Sequence, residues 1–145
     1  MGHLTGKTAI ITGGGRAVLT DGTCGSIGYG IATAYAKEGA NLVLTGRNMQ
    51  KLTDAKTELE DLYNIKVLPI QADVSAGSNN EAIVQNVINK TIETFGSIDV
   101  LINNAQASAS GVSIADHTTT QFDLAIYSGL YAAFYYMRAC YPYLK

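Results

Sequence analysis

The sequence predicts an α/β fold in which helices cover both faces of a doubly wound, four-stranded parallel sheet. Short β-branched runs alternate along the chain with longer segments in which apolar residues recur at helical spacing. This alternation is typical of βαβ units, whose strands pair in parallel. No repeat, low-complexity stretch or linker interrupts the pattern, so we predict a single domain over residues 1–145.

Four strands are predicted where apolar, mostly β-branched residues run together, at residues 8–12, 41–45, 66–71 and 99–103. The first helix ends near Glu38, with Gly39 as its C-cap, and the third ends at Gly96. The second is predicted from a stripe at Leu52, Ala55, Leu59 and Leu62. The last runs for about five turns, from Thr118-Thr119-Thr120 to Pro142.

The composition excludes several classes of function. The net charge is -2 and the ten basic residues are scattered, so no basic stripe is available for nucleic acid. No segment approaches the ~18 consecutive apolar residues of a membrane span, and the first residues lack the pattern of a secretory leader. Cys24 and Cys140 have no metal-ligand spacing, and His3 and His117 lie in polar sequence. We therefore expect a cytoplasmic protein with free thiols, no metal site, and no nucleic-acid or membrane partner.

A glycine-rich stretch joins the first strand to the first helix. It reads Thr12-Gly13-Gly14-Gly15-Arg16, continues to Cys24, and then reads Gly25-Ser26-Ile27-Gly28-Tyr29-Gly30. Glycines let the backbone turn sharply and approach a pyrophosphate, which the N-terminus of the following helix attracts. We predict a Rossmann-type dinucleotide site here. Taken alone, the stretch also fits a flexible connection between strand and helix.

Polar residues follow two further strands at the point where each one ends. Asp73-Val74 comes just past the third strand, and Asn103-Asn104-Ala105 comes at the end of the fourth. Open parallel sheets bind their ligands at the carboxyl edge, where these residues fall. Position and residue type therefore favour a dinucleotide site over a structural connection.

These stretches resemble the short-chain dehydrogenase/reductase family over essentially the whole chain. The N-terminal half of that family has a Thr-Gly-x-x-x-Gly-x-Gly loop, an Asp-Val pair after strand three and an Asn-Asn-Ala-Gly stretch after strand four. The resemblance implies that the loop holds the pyrophosphate, that the Asp side chain of the Asp-Val pair meets the adenine ring, and that the Asn-Asn-Ala segment braces the central strand beside the nicotinamide. The residues so implied are Gly13, Gly15, Ser26, Ile27 and Gly28 in the loop, Asp73 and Val74, and Asn103, Asn104 and Ala105.

The sequence departs from the family pattern at four places. Ser26-Ile27-Gly28 stands for the family's Gly-Ile-Gly, which puts Ser in a Gly position and extends the loop by about nine residues, 17–25. We expect this insertion to project outward, with Asp21-Gly22 as a turn. Gln106 replaces the usual Gly after Asn-Asn-Ala. Gly129 stands where the family has an Asn that orders a catalytic water chain, so a relay here needs water or backbone instead.

No catalytic residue is predicted within the chain. The resemblance implies a reaction centre of a Ser and a Tyr-x-x-x-Lys pair on the two elements that follow the last helix. Tyr141-Pro142-Tyr143-Leu144-Lys145 has the Tyr-to-Lys spacing, but Pro142 would break the turn that sets one side chain over the other. In register, this segment matches the end of the family's preceding helix. We therefore expect a dinucleotide-binding domain that stops before the catalytic region.

The cofactor we expect is NADP(H) rather than NAD(H). NAD-binding sheets of this type place an Asp or Glu near the end of the second strand to take the ribose hydroxyls, and no acidic residue lies between Glu38 and Asp54. Instead Arg47 follows that strand. Arg16 leaves the glycine loop on the side where family members that use NADP keep a basic residue. Two guanidinium groups suit a 2′-phosphate; the alternative for each is a solvated surface cation.

The resemblance implies an oxidoreductase that interconverts a secondary alcohol and a ketone as its small-molecule substrate. The runs at residues 13–17 and 103–108 are similar to those of bacterial hydroxysteroid dehydrogenases that act on bile acids at the 12-alpha position. Two alternatives remain open. One is an enoyl-thioester reductase, favoured by the long loop and the Ser26-Ile27-Gly28-Tyr29-Gly30 run, although Asn-Asn-Ala is not that branch's version. The other is a non-catalytic dinucleotide-binding fragment.

Tyrosines are concentrated in the last predicted helix. Their rings suit surfaces that bury a ring while leaving a hydroxyl wet, and in the family this helix packs against its copy in a neighbouring subunit. We therefore interpret them as core or subunit contacts rather than as a base-stacking surface, and we expect a homo-oligomer formed through this helix. The tyrosines are Tyr127, Tyr131, Tyr135, Tyr136, Tyr141 and Tyr143.

Overall fold

A computed structural model describes residues 2–144 and contains the elements that the sequence predicts. The strands are β1 (Thr8–Thr12), β2 (Asn41–Gly46), β3 (Val67–Gln71) and β4 (Val100–Ile102). The helices are α1 (Ile27–Lys37), α2 (Met49–Tyr63), α3 (Asn80–Phe95), α4 (Thr119–Ile126) and α5 (Ala132–Cys140), with a short 3-10 turn at Gly77–Asn79 before α3. The strand β1 matches its predicted range, and the ends of the other three strands differ from the predicted ones by at most one residue, within the usual uncertainty of strand boundaries.

The four strands form one parallel sheet in the order β3-β2-β1-β4. The chain moves outward from β1 to β3 and then crosses back to place β4 on the other side of β1. Ile10 in the centre lies opposite Val43 on one side and Leu101 on the other. The predicted fold class is confirmed. The reversal between β1 and β4 opens a crevice at the carboxyl edge, the usual ligand position in such sheets.

Side chains of successive strand residues point to opposite faces, and each face has its own core. On one face, Ile11, Leu42 and Leu44 pack against α1 and α2. On the other, Ile10 and Val43 pack against α3 and α5. All five side chains are fully buried. The sheet is therefore covered on both sides, and functional side chains can lie only at its edges and strand ends.

The last predicted helix is not one regular helix. A π-helical turn at Tyr127–Tyr131 separates α4 from α5. Ser128 is buried within this turn; its hydroxyl donates to the Ala107 carbonyl (2.8 Å) and accepts from the Ala107 amide (2.9 Å). The predicted long helix is therefore present but is interrupted by one π-helical turn. Such bulges are frequent at functional sites.

Candidate functional site

Two adjoining cavities open at the carboxyl edge of the sheet, and they share Gly13, Gly46 and Arg47. We name the first the strand-end cavity; it measures about 260 Å³ and is also lined by Ala72, Asp73, Val74, Asn104, Ala105, Gln106 and Ala107. We name the second the loop cavity; it measures about 240 Å³ and is also lined by Gly15, Ala17, Ser26, Asn48 and Lys51. The structure thus brings most of the sequence-predicted residues together.

The glycine loop packs tightly because its glycines lack side chains. Gly13 adopts a left-handed backbone (φ 70°), and its amide donates to the Thr45 carbonyl at 2.8 Å. A Cβ on Gly28 would lie 2.0 Å from the Gly13 carbonyl oxygen, so only glycine lets the first turn of α1 touch the loop. A Cβ on Gly15 would lie 3.0 Å from the Lys51 Cβ. These glycines set the approach of both helices to the loop.

Asn104 and Thr12 join the ends of β1 and β4. The Asn104 side-chain amide donates to the carbonyls of Thr12 (3.0 Å) and Gly13 (3.4 Å). In return, the Thr12 hydroxyl accepts from the backbone amides of Asn104 (3.0 Å) and Ala105 (2.9 Å). Asn103, the other asparagine of the motif, is exposed just past β4. The Asn-Asn-Ala segment therefore positions the glycine loop through Asn104.

Asp73 and Val74 follow β3 and form the far wall of the strand-end cavity. One Asp73 carboxylate oxygen accepts from the Ser75 amide (2.9 Å) and from its hydroxyl (2.6 Å). The Val74 carbonyl accepts from the buried side chain of Asn80 at 2.8 Å. These bonds hold the carboxylate in place at the cavity wall.

Arg16 and Arg47 are not brought together. Arg16 Nε contacts Glu58 Oε2 on α2 at 2.5 Å, and the Tyr29 hydroxyl donates to the other oxygen of that carboxylate. The bond from Tyr29, aided by Arg16, lowers the pKa of the Glu58 carboxyl, while the bond to Glu58 raises the pKa of Arg16. Arg16 lines neither the strand-end nor the loop cavity. In this structure Glu58 holds the Arg16 guanidinium at the flank of α2, away from both cavities.

Arg47 is exposed and lines both cavities. Its carbonyl accepts from Gln71 Nε2 at 2.9 Å, which fixes its backbone at the sheet edge. Lys51, on the first turn of α2, lines the loop cavity with it. Lys51 was not among the residues predicted from the sequence, although a cation on the first turn of the helix after the second strand was a usable signal.

Two departures from the family pattern meet at the strand-end cavity. A Cβ on Gly129 would lie 3.6 Å from Gln106 Cγ. The Gln106 side chain therefore lies against the π-helical turn at Gly129, a position that has no side chain of its own. Ala107, the next residue, is held by Ser128. Sequence reasoning missed Ser128, for which the only signal was a serine within an apolar helical stripe.

The insertion at 17–25 forms a small hairpin. Val18 and Cys24 pair as an antiparallel bridge, and the Leu19 amide donates to the Thr23 carbonyl at 2.8 Å. Its tip is exposed, and Gly22 takes a left-handed backbone (φ 84°) at the predicted turn. The hairpin projects outward, as expected. It ends at Ser26, which caps α1 and accepts from the Tyr29 amide, and the predicted Ile27 then lies exposed on the first turn.

The described residues, 2–144, contain neither a metal-binding cluster nor a membrane-spanning helix. Within that range no three His, Cys, Asp or Glu side chains cluster closely enough to hold a metal ion. No helix in the same range is long and apolar enough to cross a bilayer.

Known proteins are similar to this chain in sequence and in fold. The family profile described as short chain dehydrogenase matches residues 7–145. A 12alpha-hydroxysteroid dehydrogenase from a Clostridium species is 65% identical over 145 residues, which are 100% of this chain and 53% of that protein. An uncharacterized oxidoreductase of Bacillus subtilis is 32% identical, over 98% of this chain and 45% of that protein.

The fold is also found in solved structures. An L-sorbose reductase from Gluconobacter frateurii, complexed with NADPH and L-sorbose, superposes with a TM-score of 0.83 at 28% identity, over 99% of this chain and 49% of that one. An alcohol dehydrogenase from Thermococcus sibiricus, complexed with 5-hydroxy-NADP, gives 0.82 at 27% identity, over 95% and 53%. The chain spans about half the length of each of these relatives.

Proposed function

Because this chain belongs to the short-chain dehydrogenase family, we propose that it holds NADP(H) at the carboxyl edge of its sheet for an oxidoreductase that interconverts a secondary alcohol and a ketone. When bound, the nicotinamide ring accepts or supplies the hydride. The residues of this chain bind and orient that cofactor. The observation that carries the proposal is the pair of adjoining cavities that meet at Gly13 and Arg47.

The two cavities differ in chemistry in the way that a dinucleotide requires. The strand-end cavity has Asp73 as its one carboxylate, beside apolar Val74, which suits a flat adenine ring with exocyclic donors. At the loop cavity, the Gly13 backbone and the start of α1 at Ser26 suit a pyrophosphate. Asn104 holds the loop against the end of β4 and so sets the distance between the two cavities.

The preference for NADP(H) is supported by the charges around the loop cavity. Among its lining residues, Arg47 and Lys51 are cationic and none is acidic. An acidic side chain would take the 2′-hydroxyl of NAD and repel a 2′-phosphate, whereas a guanidinium attracts that phosphate by charge-assisted hydrogen bonds. The superposed L-sorbose reductase with NADPH and alcohol dehydrogenase with 5-hydroxy-NADP are in keeping with this proposal.

A variant of Arg47 tests the cofactor. Hydrogen bonds to charged groups contribute about 1.5–3 kcal/mol, so Arg47→Ala should weaken NADP(H) binding by roughly 10- to 150-fold while barely changing NAD(H) binding. Fluorescence titration of the purified protein with both reduced cofactors measures this. Lys90→Ala, which removes an exposed cation of α3, is the control. Equal losses for the two cofactors, or tighter NAD(H) binding by the unaltered protein, would contradict the proposal.

We propose a hydroxysteroid, of the bile-acid type, as the substrate, on the strength of the 65% identity to the Clostridium 12alpha-hydroxysteroid dehydrogenase. The long loop leaves an enoyl-thioester as the competing substrate. Rates with a 12-alpha-hydroxy bile acid and with a crotonyl thioester, measured on protein that includes the family's Ser and Tyr-x-x-x-Lys, separate the two. A faster crotonyl reaction would refute the hydroxysteroid. We expect residues 1–145 alone to bind cofactor without steady turnover.

We also propose a homo-oligomer formed through the outer face of α5 and the preceding turn. Leu130, Phe134 and Met137 lie at helical spacing on this face and are 63%, 48% and 52% exposed. Contiguous exposed apolar side chains mark an interaction surface. A second copy of the chain is the partner with the same unpartnered face, as two-fold symmetric dimers require.

A further inference from the structure

Two cations at the start of α2 are left without an ion pair. Among the residues that the structure describes, neither Arg47 nor Lys51 forms a salt bridge. On the same helix, Lys56 does pair, with Glu60 at 2.6 Å, and it also donates to the Val67 carbonyl at 2.9 Å. The two cations that line the loop cavity therefore differ from Lys56, because neither is neutralised by a salt bridge within the described residues.

The acidic side chains nearest to Lys51 along α2 are engaged elsewhere. Asp54 accepts from the Gln50 side-chain amide at 2.8 Å, and Glu58 binds Arg16 and Tyr29. Of the two positions on α2 that neighbour Lys51 in the next turn, one is this Asp54 and the other is Ala55, which is fully buried. Within the described residues, no carboxylate of α2 forms a salt bridge with the Lys51 ammonium group.

Lys51 is also built into the glycine loop. Its carbonyl accepts from the Arg16 amide at 2.8 Å, and its own amide donates to Asn48 Oδ1, the cap of α2, at 3.1 Å. A side chain on Gly15 would meet the Lys51 Cβ at 3.0 Å. The aliphatic part of the Lys51 side chain therefore lies against the loop that we propose to hold the pyrophosphate. These contacts fix the distance between the loop and Lys51.

From these contacts we infer that Lys51 is the second ligand of the cofactor's 2′-phosphate, beside Arg47, in the place that the sequence suggested for Arg16. The inference rests on the proposed cofactor. Both cations line the loop cavity, so a phosphate dianion bound there would gain two ion pairs. Lys51 is then a specificity residue. It increases the affinity for a ribose that carries a 2′-phosphate and does not affect the affinity for a ribose with a free 2′-hydroxyl.

The test compares two small probes, adenosine 2′,5′-bisphosphate and adenosine 5′-monophosphate, which differ only in the 2′-phosphate. Their dissociation constants are measured by calorimetric titration for the unaltered protein and for Lys51→Ala, Lys51→Arg, Arg47→Ala and Lys90→Ala. Lys51→Ala should weaken the bisphosphate by about tenfold and the monophosphate by less than about twofold. Lys51→Arg should keep most of the bisphosphate affinity, and added salt should shrink the difference.

The outcomes separate this inference from the proposed function. If Lys51→Ala binds the bisphosphate as well as Lys90→Ala does, or loses both probes equally because the glycine loop has loosened, the inference is overturned while the Arg47 site stands. If the unaltered protein does not prefer the bisphosphate and Arg47→Ala changes neither probe, the proposed cofactor itself is wrong, and the inference falls with it.

Discussion

The carboxyl edge of the sheet and the outer face of α5 differ in how their side chains are satisfied. At the edge, Thr12, Asn104 and Ser128 bind backbone groups of neighbouring segments. On the outer face, Leu130 and Phe134 project into solvent. Hydrogen bonds within the chain therefore determine the shape of the edge before any ligand arrives, whereas the outer face is complete only when another apolar surface covers it.

The largest expected effect comes from disturbing the edge at Gly28. In Gly28→Ala the new Cβ would lie 2.0 Å from the Gly13 carbonyl oxygen, so the loop and α1 must separate. Overpacking of this severity costs at least about 3 kcal/mol, and the cavity walls shift with it. We expect a markedly lower urea midpoint and loss of detectable NADP(H) binding.

Gly30→Ala is the matched control for that variant, because Gly30 lies in the same helix. Its Cβ would lie 3.5 Å from Cys24 Sγ, an ordinary contact. Alanine is favoured over glycine inside a helix by up to about 1 kcal/mol, so this variant should be as stable as the unaltered protein or more so. Equal stability of the two alanine variants would show that the edge is not held by close packing of loop and helix.

Local patterns predicted the strands and the edge, because both depend on residues close together in sequence. The β-branched runs marked β1 and β2, and the glycines of the loop marked a tight turn with Gly13 and Gly28 at its ends. The Asp-Val and Asn-Asn-Ala stretches follow strands directly, so parallel pairing alone places them at one edge. For these features, knowing the order of elements was sufficient.

Pairings between distant segments were not predictable in the same way. Arg16 and Glu58 are 42 residues apart, and their contact depends on how α2 packs beside the loop. Helical period gives no information about which charge a loop residue will meet. The π-helical turn likewise depends on a bond from Ser128 to Ala107, 21 residues away, while the sequence around it keeps an apolar stripe.

A smaller effect is expected on the outer face, and it should spare the edge. Replacing Leu130 and Phe134 together with Glu removes apolar area from both copies and places like charges opposite each other. Since burying one such side chain contributes about 1.5–3 kcal/mol, the dimer dissociation constant should rise by at least about 100-fold. Analytical ultracentrifugation measures the change, and titration should show unchanged NADP(H) affinity.

Leu62→Glu is the control for this pair of substitutions, since Leu62 is 60% exposed on α2, away from that face. It should leave the association constant as it is. A monomeric unaltered protein, or equal dissociation by Leu62→Glu, would refute the assignment of the oligomer contact to the outer face.

The smallest effect concerns Tyr136, a residue of α5 whose side chain is buried in the core beneath that helix. Its side chain is 1% exposed, and neither its hydroxyl nor that of the buried Thr45 has a hydrogen-bond partner of acceptable geometry within residues 2–144. Burial raises the pKa of Tyr136 to about 12, with the Thr45 hydroxyl opposing the shift. Since no bond is lost, Tyr136→Phe should change the free energy of unfolding at pH 7 by less than about 1 kcal/mol, in the direction of greater stability.

The same variant should behave differently in alkali, and the sign follows from the raised pKa. The unfolded chain releases the Tyr136 proton near the ordinary pKa of 10.0, whereas the folded protein keeps it until about pH 12. The stability that this neutral hydroxyl maintains is therefore present below pH 10 and lost between pH 10 and 12. Phenylalanine has no proton to lose, so Tyr136→Phe should gain up to about 2–3 kcal/mol over the unaltered protein across that range. Urea unfolding at several pH values measures the gain. Tyr141→Phe, which removes an exposed hydroxyl, should follow the unaltered protein throughout. The same profile for Tyr136→Phe would contradict the raised pKa of the buried hydroxyl.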